Sequence, residues 1–262
     1  MATAPSYQFI RVETQHRITT ITINRPETLN ALHPPANAEL GQAFDAFAAN
    51  EDAWVCILTG AGDRAFSAGY DLKVGASGQR FDLKISGGFG GITNRHDLDK
   101  PVIAAVNGLA LGGGFEMALA CDVIIACEDA SFGLPEPRVG LVAGAGGMHR
   151  LPRMIPQKIA MGMMLRAKPI AARQAEKLGL VNEVVPLPDL MPTARRWAQD
   201  MLECAPLSIR LTKQGALRNL HLSVQDAMAT PVPLFQTFMD SEDRREGPKA
   251  FAEKRKPNWK GR

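Results

Sequence analysis

Two segments rich in β-branched and aromatic residues, YQFIRVE (7–13) and RITTITINR (17–25), flank the polar TQH and predict a pair of strands. Apolar residues then recur at helical spacing through PANAELGQAFDAFAAN (35–50), and AWVCILTG (53–60) reads as a buried strand. The alternation continues with PVIAAVNG (101–108) as strand, GGFEMALA (113–120) as helix, CDVIIACE (121–128) as strand and GAGGMHRLPRMI (144–155) opening another helix. Strands interleaved with helices predict an α/β architecture with parallel pairing. From about residue 157 only LVNEVV (180–185) carries a strand signal, so the final third reads as helices beside or outside that core. Residues 74–94 are Gly-rich and weakly periodic, which fits either a mobile loop over a site or a bare linker, and no internal repeat of fixed period is visible. The methionines of KIAMGMMLRAKPI (158–170) fall at near-helical spacing and are expected in the core.

Composition narrows the class. A chain of 262 residues that is 45% hydrophobic can build one large domain, with or without an appendage. Thirty Lys and Arg against 27 Asp and Glu leave a formal charge of +3, too even for a nucleic-acid stripe, and the one dense basic run is the terminal KRKPNWKGR. Cys56, Cys121, Cys127 and Cys204 form no C-x-x-C pair, so reduced, mostly buried thiols in a cytoplasmic setting are expected. The start MATAPSYQFIRVE lacks the apolar core of a signal peptide, and the apolar run 101–126 is interrupted by Asn107, Glu116 and Asp122; a soluble protein with no membrane partner is expected.

Familiar catalytic signatures are missing from the sequence. There is no phosphate-binding P-loop, GAGGMHR lacks the last glycine of the dinucleotide fingerprint, and the five histidines form no H-E-x-x-H, so no metal is expected. AFSAG lacks the first glycine of a nucleophile elbow, which makes Ser67 a poor nucleophile. His149 lies inside a helical pattern, where packing or hydrogen bonding explains it better than catalysis.

Three glycine-bearing strand ends remain: GDRAFSAGYDLK (62–73), NGLALGGGFE (107–116) and FGLPEPRVGLVAGAGG (132–147). Glycine lets backbone approach a ligand closely and leaves amides free to point at it. At a helix start, the amides of Gly112 to Gly114 would favour an oxygen gaining negative charge, although a tight turn or close helix packing explains them as well. Glu116 in the first helical turn and Glu136 between two prolines each have a structural reading too, one from the helix dipole and one from a surface turn. Taken together, two carboxylates and a set of glycine amides are the minimum for proton transfer beside a carbonyl.

The ordered motifs INRPETLNAL, FSAGYDL, KPVIAAVNGLALGGGFE, FGLPEPRVGLVAGAGG, GLVNEVV and SEDRREGPKAFAEKRKPNWKGR resemble the crotonase (enoyl-CoA hydratase/isomerase) superfamily nearly end to end. The resemblance implies an α/β fold: a crotonase-type spiral of ββα repeats (1–200) followed by a helical C-terminal oligomerisation segment (201–262). It implies trimers or hexamers, an acyl-CoA thioester as partner, and no cofactor, coenzyme A being part of the substrate. It places the thioester oxygen on the backbone N–H groups of Ala68 and Gly113, and assigns Glu116 to the water and Glu136 to the Cα proton of a 2-enoyl-CoA. It assigns Asp71 to the oxyanion loop, Lys73 to CoA, and Phe251 and Lys254 to the adenine end of a neighbour's CoA.

Within the superfamily, GGFGGITNRHDLDKPVIAAVNG and the terminal motif look closest to carnitinyl-CoA dehydratases, which act on an acyl chain bearing a quaternary ammonium. Tyr70 and Phe89 are the aromatic candidates for such a cation. General enoyl-CoA hydration stands first and that branch second. Isomerase, hydrolase or lyase chemistry on the same oxyanion site follows, then a CoA- or RNA-binding relative without catalysis. Retention of both glutamates weighs against the isomerase and the binding-only readings.

Overall fold

The computed structural model describes residues 7–76 and 87–262. A six-stranded sheet forms the body, built from β1 (Ile10–Gln15), β2 (Ile18–Ile23), β3 (Val55–Gly60), β5 (Val102–Val106), β7 (Val123–Cys127) and β10 (Glu183–Val185), hydrogen-bonded in that order. The expected pair, β1 and β2, is an antiparallel hairpin, and every later neighbour in the sheet is parallel. A second sheet lines up β4 (Ala65–Ser67), β6 (Leu109–Leu111), β8 (Ser131–Gly133) and the two-residue β9 (Ile170–Ala171).

The helices are α1 (Pro34–Ala49), α2 (Leu72–Ala76), α3 (Gly113–Ala120), α4 (Gly147–Met154), α5 (Gln157–Arg166) and α6 (Ala172–Lys177). They continue with α7 (Leu187–Leu202), α8 (Pro206–Arg218), α9 (Val224–Ala229), α10 (Phe235–Asp240) and α11 (Glu242–Ala252).

A repeat emerges that the sequence spacing hides. β3, β5 and β7 each run into a short strand of the second sheet, β4, β6 and β8, and after β4 and β6 a helix follows directly. After β8 a 3-10 turn, Glu136–Val139, comes before α4. The segments that close each repeat differ in length, so no fixed period survives in the sequence.

The large sheet is apolar on both faces, as a parallel sheet covered by helices requires. Cys56 and Leu58 point into a cluster that includes Phe44, Phe66, Phe115 and Phe132, while Val55, Ile57, Ile103 and Ile125 face α7. α7 presents Leu190, Ala194 and Ala198, one residue per turn, and the two alanines allow close approach to the strands. Arg210 of α8 forks onto both carboxylate oxygens of Asp99 at 2.9 and 3.0 Å. Lys213 meets Asp122 Oδ2 at 2.7 Å, so two side chains of α8 tie the C-terminal helices to the loops at the start of β5 and β7.

Some expectations need correction. Residues 77–86 of the 74–94 segment lie outside the described residues. Residues 87–94, by contrast, form a packed turn: Phe89, Gly90 and Gly91 are buried, and Gly91 lies so close to the Gly41 backbone that a side chain would collide there. Met163 is in the core and Met164 packs against it, but Met161 is exposed. His149 is exposed on α4 rather than packed.

Candidate functional site

Because β4, β6 and β8 are hydrogen-bonded parallel neighbours, their C-terminal ends lie side by side. Those ends are the three glycine-bearing segments. Strand ends of a parallel sheet, with loops and helix N-termini above them, are where ligands gather in open α/β folds.

Two asparagines fix the corner that leads into β4. Asn30 Nδ2 donates to Ala61 O at 3.0 Å and Ala65 O at 2.7 Å, and Asn107 Nδ2 donates to Gly62 O at 2.8 Å. At the end of β4, the buried Ser67 hydroxyl donates to Asn30 O at 2.8 Å and accepts the Gly69 amide at 3.1 Å, a structural role and not a nucleophilic one. Asp71 is buried; its Oδ1 accepts the Lys73 amide at 3.2 Å and its Oδ2 pairs with Arg25 at 3.3 Å. Lys73 itself is exposed.

The triple glycine is explained by contact. Gly112 has φ +54°, and a Cβ there would stand 3.2 Å from Glu136 Oε1. A Cβ on Gly113 would come 2.5 Å from the Phe89 ring, and one on Gly114 would overlap the Ser67 carbonyl. Gly113 opens α3, and among the described residues nothing accepts its N–H. That amide sits at the positive end of the helix dipole.

Ala68 needs correction. Its amide donates to Leu29 O at 2.9 Å, so the fold already uses the N–H expected to face a ligand. One step along, the bridge between Leu32 and Tyr70 uses Gly69 O and the Asp71 amide, which turns the Tyr70 amide to the opposite edge of the segment. Gly69, with φ +85°, packs directly on Gly113: a Cβ there would be 2.8 Å from Gly113 N. The loop and the start of α3 therefore meet at Gly69 and Gly113.

Glu116 lies one turn into α3 and is buried to 3% exposure. Gly147 donates to its Oε1 at 2.8 Å from the first residue of α4. Burial pushes the Glu116 carboxyl up to about 7; the Gly147 and Ala145 amides and the Arg150 guanidinium pull it down, while the Glu136 charge pushes it further up. Glu136 begins the 3-10 turn after β8 and is half-buried, and burial raises its carboxyl too. Its Oε2 is buried without a hydrogen-bond partner.

The fold thus brings Glu116, Glu136 and Gly113 together, with Asp71 bracing the adjoining loop. Phe251 and Lys254, near the C-terminal end of α11, are exposed. Among the described residues no group of His, Cys, Asp and Glu could hold a metal ion, and no helix is long and apolar enough to cross a membrane. Phe89, one of the two aromatic candidates, lies against Gly113; sequence reading missed the Gly147 amide as the seat of Glu116, which only the glycines of GAGG signalled.

The family profile described as enoyl-CoA hydratase/isomerase matches residues 13–262. The chain belongs to that family. Similar members include the carnitinyl-CoA dehydratases of Salmonella enteritidis PT4 and Salmonella typhi, each 43% identical over 247 residues, spanning 92% of this chain and 94% of theirs. Among solved structures, enoyl-CoA hydratase from Mycobacterium tuberculosis H37Rv superposes with TM-score 0.90 at 38% identity, covering 97% of this chain and 99% of that one. Enoyl-CoA hydratase from Bacillus anthracis superposes with TM-score 0.90 at 34% identity, covering 97% and 100%. The paired sheets and helices described above are the fold of these enoyl-CoA hydratase/isomerase family members.

Proposed function

We propose that the protein catalyses the reversible syn addition of water to a 2-enoyl-CoA, giving a 3-hydroxyacyl-CoA. The observation that carries this reading is the approach of Glu136 to Gly112, at the start of the helix that bears Glu116 and close enough for its charge to act on Glu116, with both carboxyls raised by burial. Two neighbouring carboxyls raised by burial resist ionising together, and their titration belongs to the pair.

Hydrogen bonding divides the labour. The amides at Glu116 favour its carboxylate, while the unpartnered Oε2 of Glu136 favours the protonated acid. Glu116 takes a proton from water as the water oxygen bonds to Cβ. The displaced π electrons move toward the thioester oxygen, and Cα receives the proton of Glu136. The thioester oxygen is held by the Gly113 amide at the start of α3, on which the loop at Gly69 packs. One such donor is typically worth about 3 to 4 kcal/mol.

A second reading rests on the relatives. Proteins 43% identical to this chain are named carnitinyl-CoA dehydratase, an activity on an acyl chain bearing a quaternary ammonium. The discriminating assay follows loss of the enoyl-thioester ultraviolet band with crotonyl-CoA and with crotonobetainyl-CoA, identifying each product. Hydration of crotonyl-CoA supports the general reading, and activity confined to crotonobetainyl-CoA supports the second. No turnover of either would refute both.

The wider assembly is part of the same proposal. Val142, Leu165, Leu220, Val224 and Met228 are each at least 70% exposed, an apolar surface suited to burial between subunits of a homotrimer or homohexamer. Residues 201–262 serve as the oligomerisation segment, with Phe251 and Lys254 reaching a neighbour's CoA and Lys73 its own. The four cysteines are free thiols, which suits the cytoplasm.

A further inference from the structure

Arg150 is a half-buried cation on α4 to which the proposed chemistry assigns no step. Its guanidinium lies across Gly146, where φ is +109° and any side chain would overlap Nη1. Nη2 donates to Thr93 O at 2.8 Å, and Nη1 reaches back to Ala145 O at 3.5 Å. Each anchor leads to the site. Ala145 and Gly147 flank Gly146; the Gly147 amide holds Glu116, and the Ala145 amide helps to lower its carboxyl. Thr93 closes the 87–94 turn, whose Phe89 lies on Gly113 and whose Gly90 abuts Met117 Sδ.

We propose that Arg150 is a positioning residue for Glu116, clamping the Ala145–Gly147 turn to the segment that covers Gly113. This rests on the hydration reading for its catalytic consequence and on geometry alone for the clamp. Arg is suited to the task because one planar guanidinium can serve two carbonyls at fixed directions, which an ammonium at the end of a flexible stem does less well.

The titratable and charged groups facing Glu116 are Glu136, from the turn after β8, and Arg150, from α4; Cys121, at the end of α3, faces Arg150. Removing the cation favours the protonated form of Glu116, so its carboxyl should titrate at higher pH.

The test compares Arg150→Gln and Arg150→Lys, with Arg153→Gln as a control for the same helix, because Arg153 is exposed and meets only the helix carbonyl of His149. Two readouts are taken: kcat and KM for hydration, and the Glu116 carboxyl titration followed by 13C NMR of glutamate-labelled protein, assigned with Glu116→Gln. Arg150→Gln should lower kcat roughly 10- to 100-fold with KM little changed, the scale expected for a displaced catalytic group, and move the Glu116 titration upward. Arg150→Lys should hold the titration near that of the parent while kcat stays low. Unchanged kcat in either variant, or a kcat loss in Arg150→Gln with an unmoved Glu116 titration, would overturn the proposal. If Arg150→Gln does not fold, Arg150→Lys decides it on kcat. Absence of hydration by the parent protein would instead defeat the functional reading, and the titration would still test the clamp.

Discussion

Glu116 and Glu136 enter the same site from opposite kinds of structure. Glu116 rides a helix, is buried, and rests on the Gly147 amide at the start of α4. Glu136 sits on a short turn between Pro135 and Pro137, and one of its oxygens has no partner. Burial raises both carboxyls, and the roles proposed for them rest on their different hydrogen-bond donors. A seat of amides makes a place for an anion that can receive a proton from water. A dry, unpartnered oxygen makes a place for a proton to be handed on.

The largest effects are expected at the carboxylates themselves. Glu116→Gln and Glu136→Gln should each lower kcat by about 10³-fold, within the range general acid–base catalysis supplies, while CoA-ester binding persists in equilibrium titration.

The next effect is on stability. Glu116 has a folded pKa of about 7 against an ordinary value of 4.5, so the folded state holds its proton over an interval where the unfolded chain has lost it. Stability from this group therefore falls as pH rises from the lower value through the upper one. Glu116→Gln, which keeps an oxygen for the Gly147 amide, should be more stable than the parent at pH 8 by on the order of 2 kcal/mol and similar at pH 4.5, measured by urea denaturation.

Smaller changes sharpen the contrast between the two seats. Gly147→Ala places a Cβ 3.0 Å from Glu116 Oε1 and Leu134 Cδ1, so steady-state kinetics should show kcat reduced roughly tenfold through displacement of the carboxylate. Gly140, which ends the Glu136 turn, has φ +72° but open space around it. Gly140→Ala should therefore cost only about 1 kcal/mol of backbone strain in a denaturation experiment and leave kcat within a few-fold.

The long elements of this fold are legible in the sequence because they are continuous apolar runs bounded by turns: Val55–Gly60, Val102–Val106 and Val123–Cys127 all fall where the pattern places strands. The second sheet is not, because strands of three residues such as Ala65–Ser67 and Leu109–Leu111 are too short to show a period. The site follows the same division. Glycines and carboxylates identify the three strand ends, and Glu116 and Glu136 do meet there. Which edge of a tight loop an amide faces depends on its bridge partner. The Leu29 carbonyl that takes the Ala68 amide and the Leu32 bridge that turns Tyr70 outward come from residues more than thirty positions away. Helix phase likewise decides that His149 is exposed while Arg150, the next residue, reaches inward to Thr93.

The proposed division of labour gives Glu136 the Cα proton and Glu116 the water. It is tested most directly by following exchange of the Cα protons of butyryl-CoA, a saturated ester with nothing to hydrate, for deuterium in D2O by NMR. The parent protein and Glu116→Gln should both exchange, and Glu136→Gln should not. Exchange retained in Glu136→Gln and lost in Glu116→Gln would contradict the assignment.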